Sequence, residues 1–326
     1  WRSTWRFVVV GSAGSVGCEC VVFFFFKQET AYEVTCRDWS ADGCSSDLVD
    51  DEPQVLGIRA EPPEVGGGDT LTVDSLVHWP QGEAHYLWFL CIPTNLEQVQ
   101  SCVKSQLGDA LPPPCEGAVA TLCTAGTDPT FTWTAPPIPL PEDVPEVFFF
   151  VQQVLSSSPD VWAACENAIR NNLPTADCLI SLKTVTFSDR EVKNLNPQLS
   201  HFVINEAIAT PGEPVVATAG EKALFNVLID HAGLDELTDE STSTNSIYMD
   251  MEFFTTCGTL TRYDEQWYCE MALDGTREIT CVADDDEETP NGITPRKDWS
   301  GDCVIHAVLR DNLGGITWLT QELSFL

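Results

Sequence analysis

From Pro53 onward the chain alternates between apolar and polar positions. In "TLTVDSLVHW", residues 70–79, Leu71, Val73 and Leu76–Val77 stand against polar neighbours. That near-twofold period predicts a half-buried strand, with Gly66 to Gly68 supplying the turn before it. Upstream, "PQVLGIRAE" is an extended run that breaks at Pro62-Pro63. Downstream, "EAHYLWFLC" is an aromatic strand ending at Cys91. "TFTWTAP" and "EVFFFVQQV" are strand-like, and "DCLISLKTVTFSD" closes the region as a long strand.

The plan starts again at Pro197. "PQLSHFVINEAIATPGEPVVATAGEKALFNVLID" repeats the PQ-aliphatic opening, a Pro-Gly turn and an alternating strand around Leu224, Val227 and Ile229. "SIYMDMEFFTTCG" is an aromatic strand ending near Cys257, and "REITCVAD" takes the place of "TFTWTAP". The tetrapeptide Asp177-Cys178-Leu179-Ile180 matches Asp302-Cys303-Val304-Ile305, each leading into the last strands. "NLGG", Asn312 to Gly315, is a hairpin turn. Self-similarity on this scale, with many short strands and turns between them, predicts two tandem antiparallel immunoglobulin-like β-sandwiches. The first spans 49–190 and the second 195–326, joined by the polar, Pro-terminated linker 188–196.

Two stretches in the first half have helical spacing. "TNLEQVQSCVKSQLG" opens with a Thr94-to-Glu97 capping pair and sets Leu96, Val99, Val103 and Leu107 on one face. "SPDVWAACENAIRNN" places Pro159 at the first helical position and Trp162, Cys165 and Ile169 at core spacing. Both read as short helices inserted between strands.

The first 48 residues stand apart. "VVFFFFKQETAYEVTCRDWSADGCSSDL", residues 21–48, puts four phenylalanines ahead of a polar run with no clear period. It resembles the translation of a sequencing adapter joined to a gene fragment, especially at "KQETAYEV" and "CSSDL". That resemblance implies a non-native or disordered N-terminal segment 1–48, standing where a native start and export signal belong. The alternative is a genuine hairpin with a Phe-rich strand. Residues 1–18, with Arg2, Arg6, an apolar run and Cys18, faintly echo a lipoprotein signal, although Ser15 stands where an aliphatic belongs. Gly11, Gly14 and Gly17 follow a strand-like "FVVV", but "CECVVFFFF" reads as more strand. A dinucleotide loop needs a helix there, so that reading is rejected.

Composition narrows the function classes. The 326 residues carry 50 acidic and 16 basic side chains, a formal charge of −34. Residues 49–326 alone hold 44 and 12 of these, a net −32, so the acidity belongs to the body of the chain. Such a surface repels phosphate backbones and anionic lipid, which excludes nucleic acid as a partner. No apolar window is long enough for a membrane-spanning helix.

After residue 48 there are ten cysteines. Six fall in the first half (Cys91, Cys102, Cys115, Cys123, Cys165, Cys178) and four in the second (Cys257, Cys269, Cys281, Cys303). Even counts in each half suit disulfides closed within each sandwich, and an extracytoplasmic setting. Zinc is the rival, but no C-x-x-C pair occurs here. The repeat gives Cys91 and Cys178 the roles of Cys257 and Cys303. Six cysteines allow many connectivities, and the pattern alone selects none.

No catalytic, cofactor-binding or metal-ligating residue is assigned. His78, His85, His201, His231 and His306 show no H-E-x-x-H spacing and read as surface or packing residues. G-x-S-x-G is absent, so no nucleophile elbow is visible. Carboxylates are too abundant to single out a glycosidase pair. The run Asp284, Asp285, Asp286, Glu287, Glu288 is the best cation candidate, yet it lacks the alternating order of a calcium loop and reads as a solvated loop. Trp88, Trp133 and Trp318 sit in strand patterns and read as core. Trp79, Trp267 and Trp299 sit at turn-like places where a sugar could stack.

"PQVLGIRAEPPEVGGGDTLTVDSLV" followed by "HYLWFLC" resembles the opening of a set of extracytoplasmic lipoproteins of myxobacteria-like Gram-negative bacteria. "NPQL", "FFTTCGTL" and "VLRDNLGGITWL" fit the later part of that pattern. More broadly, the two halves resemble bacterial immunoglobulin-like domains. The resemblance implies export, lipid anchoring through a cysteine not identifiable here, and a role at the envelope without catalysis. The leading expectation is a non-enzymatic binding or structural protein with an unknown protein or glycan partner and no cofactor. Two alternatives stay open: a calcium- or glycan-dependent surface adhesin, and a secreted hydrolase with a site assembled from scattered residues.

Overall fold

The computed structural model describes residues 49, 52–92, 102–115, 121–137, 140, 146–191, 193–218, 221–230, 246–261, 264–271, 279–283, 291–295 and 303–325. At 230, 246–248, 264–271, 279–283 and 325 the description is of the backbone. The segment 1–48, the Thr94–Glu97 cap with Leu96 and Val99, His231, Trp299 and the acidic run 284–288 lie outside the described residues.

The first half contains β1 (Gln54–Glu61), β2 (Glu64–Val65), β3 (Thr70–His78), β4 (His85–Cys91), α1 (Cys102–Gln106), β5 (Leu122–Gly126), β6 (Phe131–Thr134), β7 (Glu146–Ser156), α2 (Val161–Asn171) and β8 (Cys178–Ser188). Its strands form two sheets, β1-β3-β6 and β2-β8-β7-β4-β5. The second half contains β9 (Gln198–Ile204), β10 (Ala207–Ile208), β11 (Val215–Ala217), β12 (Ala223–Asp230), β13 (Ser246–Thr255), β14 (Gly258–Leu260), β15 (Asp264–Met271), β16 (Ile279–Ala283), β17 (Asn291–Pro295), β18 (Cys303–Asp311) and β19 (Ile316–Phe325). Its sheets are β10-β9-β12-β17-β14 and β11-β19-β18-β13-β15-β16. Both halves are immunoglobulin-like sandwiches: the first and second long strands pair in one sheet, and in the other the penultimate strand stands between the last and the third. Between the described strands the pairing is antiparallel except for two short parallel contacts, β2 with β8 and β11 with β19; an isolated parallel bridge joins Pro114 to Thr124.

Alternation places the cores. In β4, Trp88 and Leu90 point between the sheets of the first sandwich, with Phe149 and Val151 of β7 and Val185 and Phe187 of β8. In the second, Met249, Met251 and Phe253 of β13 meet Ile305, Ala307 and Leu309 of β18 and Phe225 of β12. Leu224 was grouped with Val227 by sequence, but three residues apart they cannot share a strand face. Leu224 points outward and is 39 % exposed, while Ala223, Phe225 and Val227 are buried.

The two helices cover the outer face of β4, β7 and β8. Leu87, Phe89, Phe150 and Val154 lie beneath Val103 of α1 and Val161, Cys165, Ala168 and Ile169 of α2. Helix α2 begins at Val161, two residues later than Pro159 suggested. Asp160 is its cap, with Oδ1 accepting from Ala163 N at 3.0 Å. Asn172, in the left-handed region at φ 51°, ends it.

Strand correspondence corrects the sequence repeat at two places. "ITCVA" forms β16, paired with β15. The partner of β6 in the plan is β17, which pairs with β12 as β6 pairs with β3. Likewise Cys178 opens β8, whose counterpart is β19, whereas Cys303 opens β18, the counterpart of β7. Cys257 follows β13 and bridges directly to Cys303, because β13 and β18 are hydrogen-bonded neighbours. In the first sandwich β7 stands between β4 and β8, so Cys91 and Cys178 cannot meet. Cys91 bridges to Cys102 and Cys178 to Cys165, which tie the two helices to the sheet, and Cys115 bridges to Cys123. Cys269 and Cys281 are register partners in β15 and β16.

The bridges enclose unequal loops. Cys257–Cys303 spans 46 residues and Cys115–Cys123 spans 8. By loop-closure entropy, removing the first costs about 4 kcal/mol and the second about 2.5 kcal/mol. Urea unfolding of Cys257→Ala/Cys303→Ala and Cys115→Ala/Cys123→Ala is expected to rank them in that order. Equal losses would show that loop closure does not set the stabilisation.

Candidate functional site

Among the described residues, the most elaborate constellation of buried polar groups lies where the sandwiches meet. It grows from strand alternation. Residues on β18 that do not point into the core point outward, and Val308 among them is fully buried. It forms a second apolar cluster with Ile316 of β19, Leu56 of β1 and Val49, flanked by Leu76, Phe254 and Trp318. The outer face of β1–β3 is therefore pressed onto the outer face of β13, β18 and β19. A bulge in β1 between Val55 and Gly57 leaves Leu56 unmatched in the register. At Gly57 the side chain of Ile316 packs against bare backbone: a Cβ there would stand 2.9 Å from Ile316 Cδ1.

Polar groups frame this contact. Arg59 donates to both oxygens of Asp74, at 3.1 and 2.6 Å, and its guanidinium lies 4.4 Å above the Trp318 ring. Arg310 of the second sandwich pairs with Glu252 and donates to Leu56 O of the first at 2.7 Å. Trp318 thus belongs to the joint rather than to a sandwich core, unlike Trp88, which is fully buried, and Trp133, which packs at the edge of the first core. Burial pushes the His306 imidazole down to about 4, and the charge of nearby His78 pushes the same way.

The presumed linker is the other half of the joint. Asn194 and Asn196 are buried. Asn196 Nδ2 donates to Ala60 O and to Glu61 Oε2, both at 2.7 Å, while its Oδ1 accepts from Ile316 N at 2.8 Å. One amide therefore ties β1 to β19. Asn194 donates its backbone N–H to Glu64 Oε2 at 2.9 Å and its side-chain amide to Leu313 O at 3.0 Å. Glu64, 2 % exposed, also accepts from Ser188 Oγ and faces Arg190. Lys183, 1 % exposed, donates to Gly314 O at 2.9 Å across the joint.

Asp311 closes the β18–β19 turn. Its Oδ1 accepts from Leu313 N at 2.8 Å and Gly315 N at 2.7 Å. Burial raises its carboxyl to about 6, against the opposing pull of those N–H groups and of Lys183.

Elsewhere the described chemistry is sparse. Among the described residues no three His, Cys, Asp or Glu side chains converge to hold a metal ion. Ser200 Oγ and His201 Nδ1 lie 2.7 Å apart, but they are sequence neighbours on β9. A cavity of about 210 Å³ lies elsewhere, beside the start of α2 and lined by Tyr86, Leu111, Thr127, Asp160 and Trp162. That is below the usual range for ligand pockets. His85 stands at the start of β4 and Trp79 is half-buried.

The joint was invisible as a site in sequence. Asn194 and Asn196 stand in a polar stretch that reads as solvated. Lys183 alone carried a signal, because it shares a strand face with Val185 and Phe187.

No family model matches the chain and no curated protein matches it. Among solved structures it is similar to the fibronectin(III)-like modules of Clostridium thermocellum CbhA, at 9 % identity over 84 % of this chain and 93 % of that one, with a TM-score of 0.22. It is similar to the Yersinia pseudotuberculosis adhesin InvE, at 10 % identity over 83 % of this chain and 58 % of that one, TM-score 0.18. A chimeric titin Z1Z2-Z1Z2 tandem gives 12 % identity, 84 % and 99 % coverage and a TM-score of 0.21. At TM-scores this low the likenesses add nothing to what the strand pairing shows.

Two predictions test the joint. Gly57→Val forces a branched side chain against Ile316 and is expected to destabilise by about 1–3 kcal/mol. Asn196→Ala orphans Ile316 N and is expected to cost about 1–3 kcal/mol. Urea unfolding followed at Trp318 measures both, and wild-type midpoints for the pair would refute the joint as a structural unit.

The pH dependence has opposed parts. Asp311 has a raised folded pKa, so its ionised form destabilises above about pH 6 and stability is recovered as pH falls towards 4. His306 has a lowered folded pKa, so stability is lost as pH falls from about 6.5 to 4. Asp311→Asn removes the gain and leaves the loss. Its stability is expected to fall between pH 6.5 and 4 by up to about 3 kcal/mol more than wild type. Parallel profiles would contradict the assignment.

Proposed function

We propose that this chain is a non-enzymatic binding or structural module of the cell envelope, held outside the reducing cytosol. The observation that carries the reading is the set of four disulfides among the described residues, distributed over both sandwiches. Bridges of this kind form and persist in oxidising compartments. The joint supports a mechanical role. Its buried charges and amides are spent on holding two sandwiches together, face to face, not on converging towards a substrate. The acidic surface suits an exposed setting and repels anionic polymers.

The resemblance to extracytoplasmic lipoproteins adds a lipid anchor to this proposal. The calcium-dependent reading rested on the acidic run 284–288, which lies outside the described residues, so no specific observation favours it.

The test is location and thiol state together. In the source cells, fractionation is expected to recover the protein in the envelope, and alkylation without reductant is expected to leave the eight bridged cysteines unlabelled. Recovery in the cytosol with alkylated cysteines would overturn the proposal.

A further inference from the structure

The two sandwiches share a sheet order, so their faces can be compared position by position. On the second sandwich, the outer face of β13, β18 and β19 receives another sandwich. On the first, the corresponding face of β4, β7 and β8 is also apolar, with Leu87, Phe89, Phe150 and Val154. There the two helices occupy it, each tied down by one disulfide, Cys91–Cys102 and Cys165–Cys178.

The donor face is also present twice. In the first sandwich Gln54, Val55, Gly57, Ile58 and Arg59 pair with His78, Val77, Leu76, Ser75 and Asp74. In the second, Gln198, Leu199, His201, Phe202 and Val203 pair with Asp230, Ile229, Leu228, Val227 and Asn226. The bulge falls at the same step, with Leu56 skipped in one register and Ser200 in the other. Leu228 therefore holds the register position of Leu76, which is packed in the joint. Yet Leu228 is 42 % exposed, and Leu224 on the same strand and Ile208 on β10, across β9, are exposed too. The copy differs where it would meet a partner: Val203 and Asn226 replace the ion pair Arg59–Asp74, and His201 stands at Gly57. Docking by this face centres on Leu224, Leu228 and Val203 rather than on the bulge.

We propose that the disulfide-held helices are a cap on a docking face, and that a chain without the cap takes up the outer β9–β12 face of a second copy there. The occupant is a second copy because this chain carries both halves of the contact, and joins the same pair of faces within itself. The contact is heterologous: each copy offers one face and receives on another. Uncapped chains therefore extend head to tail instead of closing as a symmetric dimer. The cap keeps the protein to one joint per chain.

Sedimentation velocity tests this on the whole chain. The native protein is expected to sediment as a monomer. The variant Cys91→Ser/Cys102→Ser/Cys165→Ser/Cys178→Ser, with both helices untethered, is expected to form species of twice the mass and above as concentration rises. Adding Leu224→Glu and Leu228→Glu to it is expected to weaken that association by about 100-fold, the effect of losing about 3 kcal/mol of contact. A monomeric untethered variant that keeps its strand circular dichroism would overturn the proposal. So would association that ignores the two glutamates, which is unspecific sticking. Loss of the strand signal on untethering would make the helices part of the fold rather than a removable cap, and would overturn it as well. A smaller variant, Cys165→Ser/Cys178→Ser, frees α2 alone and is expected to associate more weakly.

Discussion

A single side-chain amide does much to define this molecule. Asn196 donates to β1 and accepts from β19, so the first strand of one sandwich and the last strand of the other share one buried group. An amide in that position is satisfied only if both sandwiches hold their relative places to within a fraction of an ångström. Around it the apolar cluster of Leu56, Val308 and Ile316 supplies burial, and Lys183, Glu64 and Asn194 supply direction. Apolar contact alone would allow the sheets to slide. The hydrogen bonds select one orientation among those that burial permits.

The two electrostatic anomalies have the same origin. Asp311 and His306 are shifted because the joint removes water from them, in opposite senses for an acid and a base. Neither adjoins a nucleophile or a substrate-sized cavity among the described residues. Perturbed groups often mark active sites, but structural networks perturb them as well. Here the second account fits, since both groups lie at the contact between the sandwiches.

Much of the architecture was legible in sequence. Near-twofold alternation located β3, runs of aliphatic and aromatic residues located β1, β4, β7 and β8, and the PQ-aliphatic restart located the second sandwich. The short strands β2, β5 and β14 were not readable, because two to five residues carry too little pattern. Matching by shared letters failed where topology mattered. Asp177-Cys178 and Asp302-Cys303 look alike but open different strands, and strand order decided which cysteines could bridge. The joint was unreadable for a different reason: a buried Asn in a linker has the same letter as a solvated one, and only the fold supplies its partners. No functional residue had been assigned from sequence.

The two parallel contacts, β2 with β8 and β11 with β19, are only two and three residues long. Each sits at the margin of its sheet, where an unpaired strand would present a row of open backbone donors and acceptors. A foreign strand seeking to extend either sheet finds that margin already partly taken, and by a segment too short to serve as a template itself. The same chain turn that carries each opening strand across to the opposite sheet thus guards the molecule against indiscriminate strand addition.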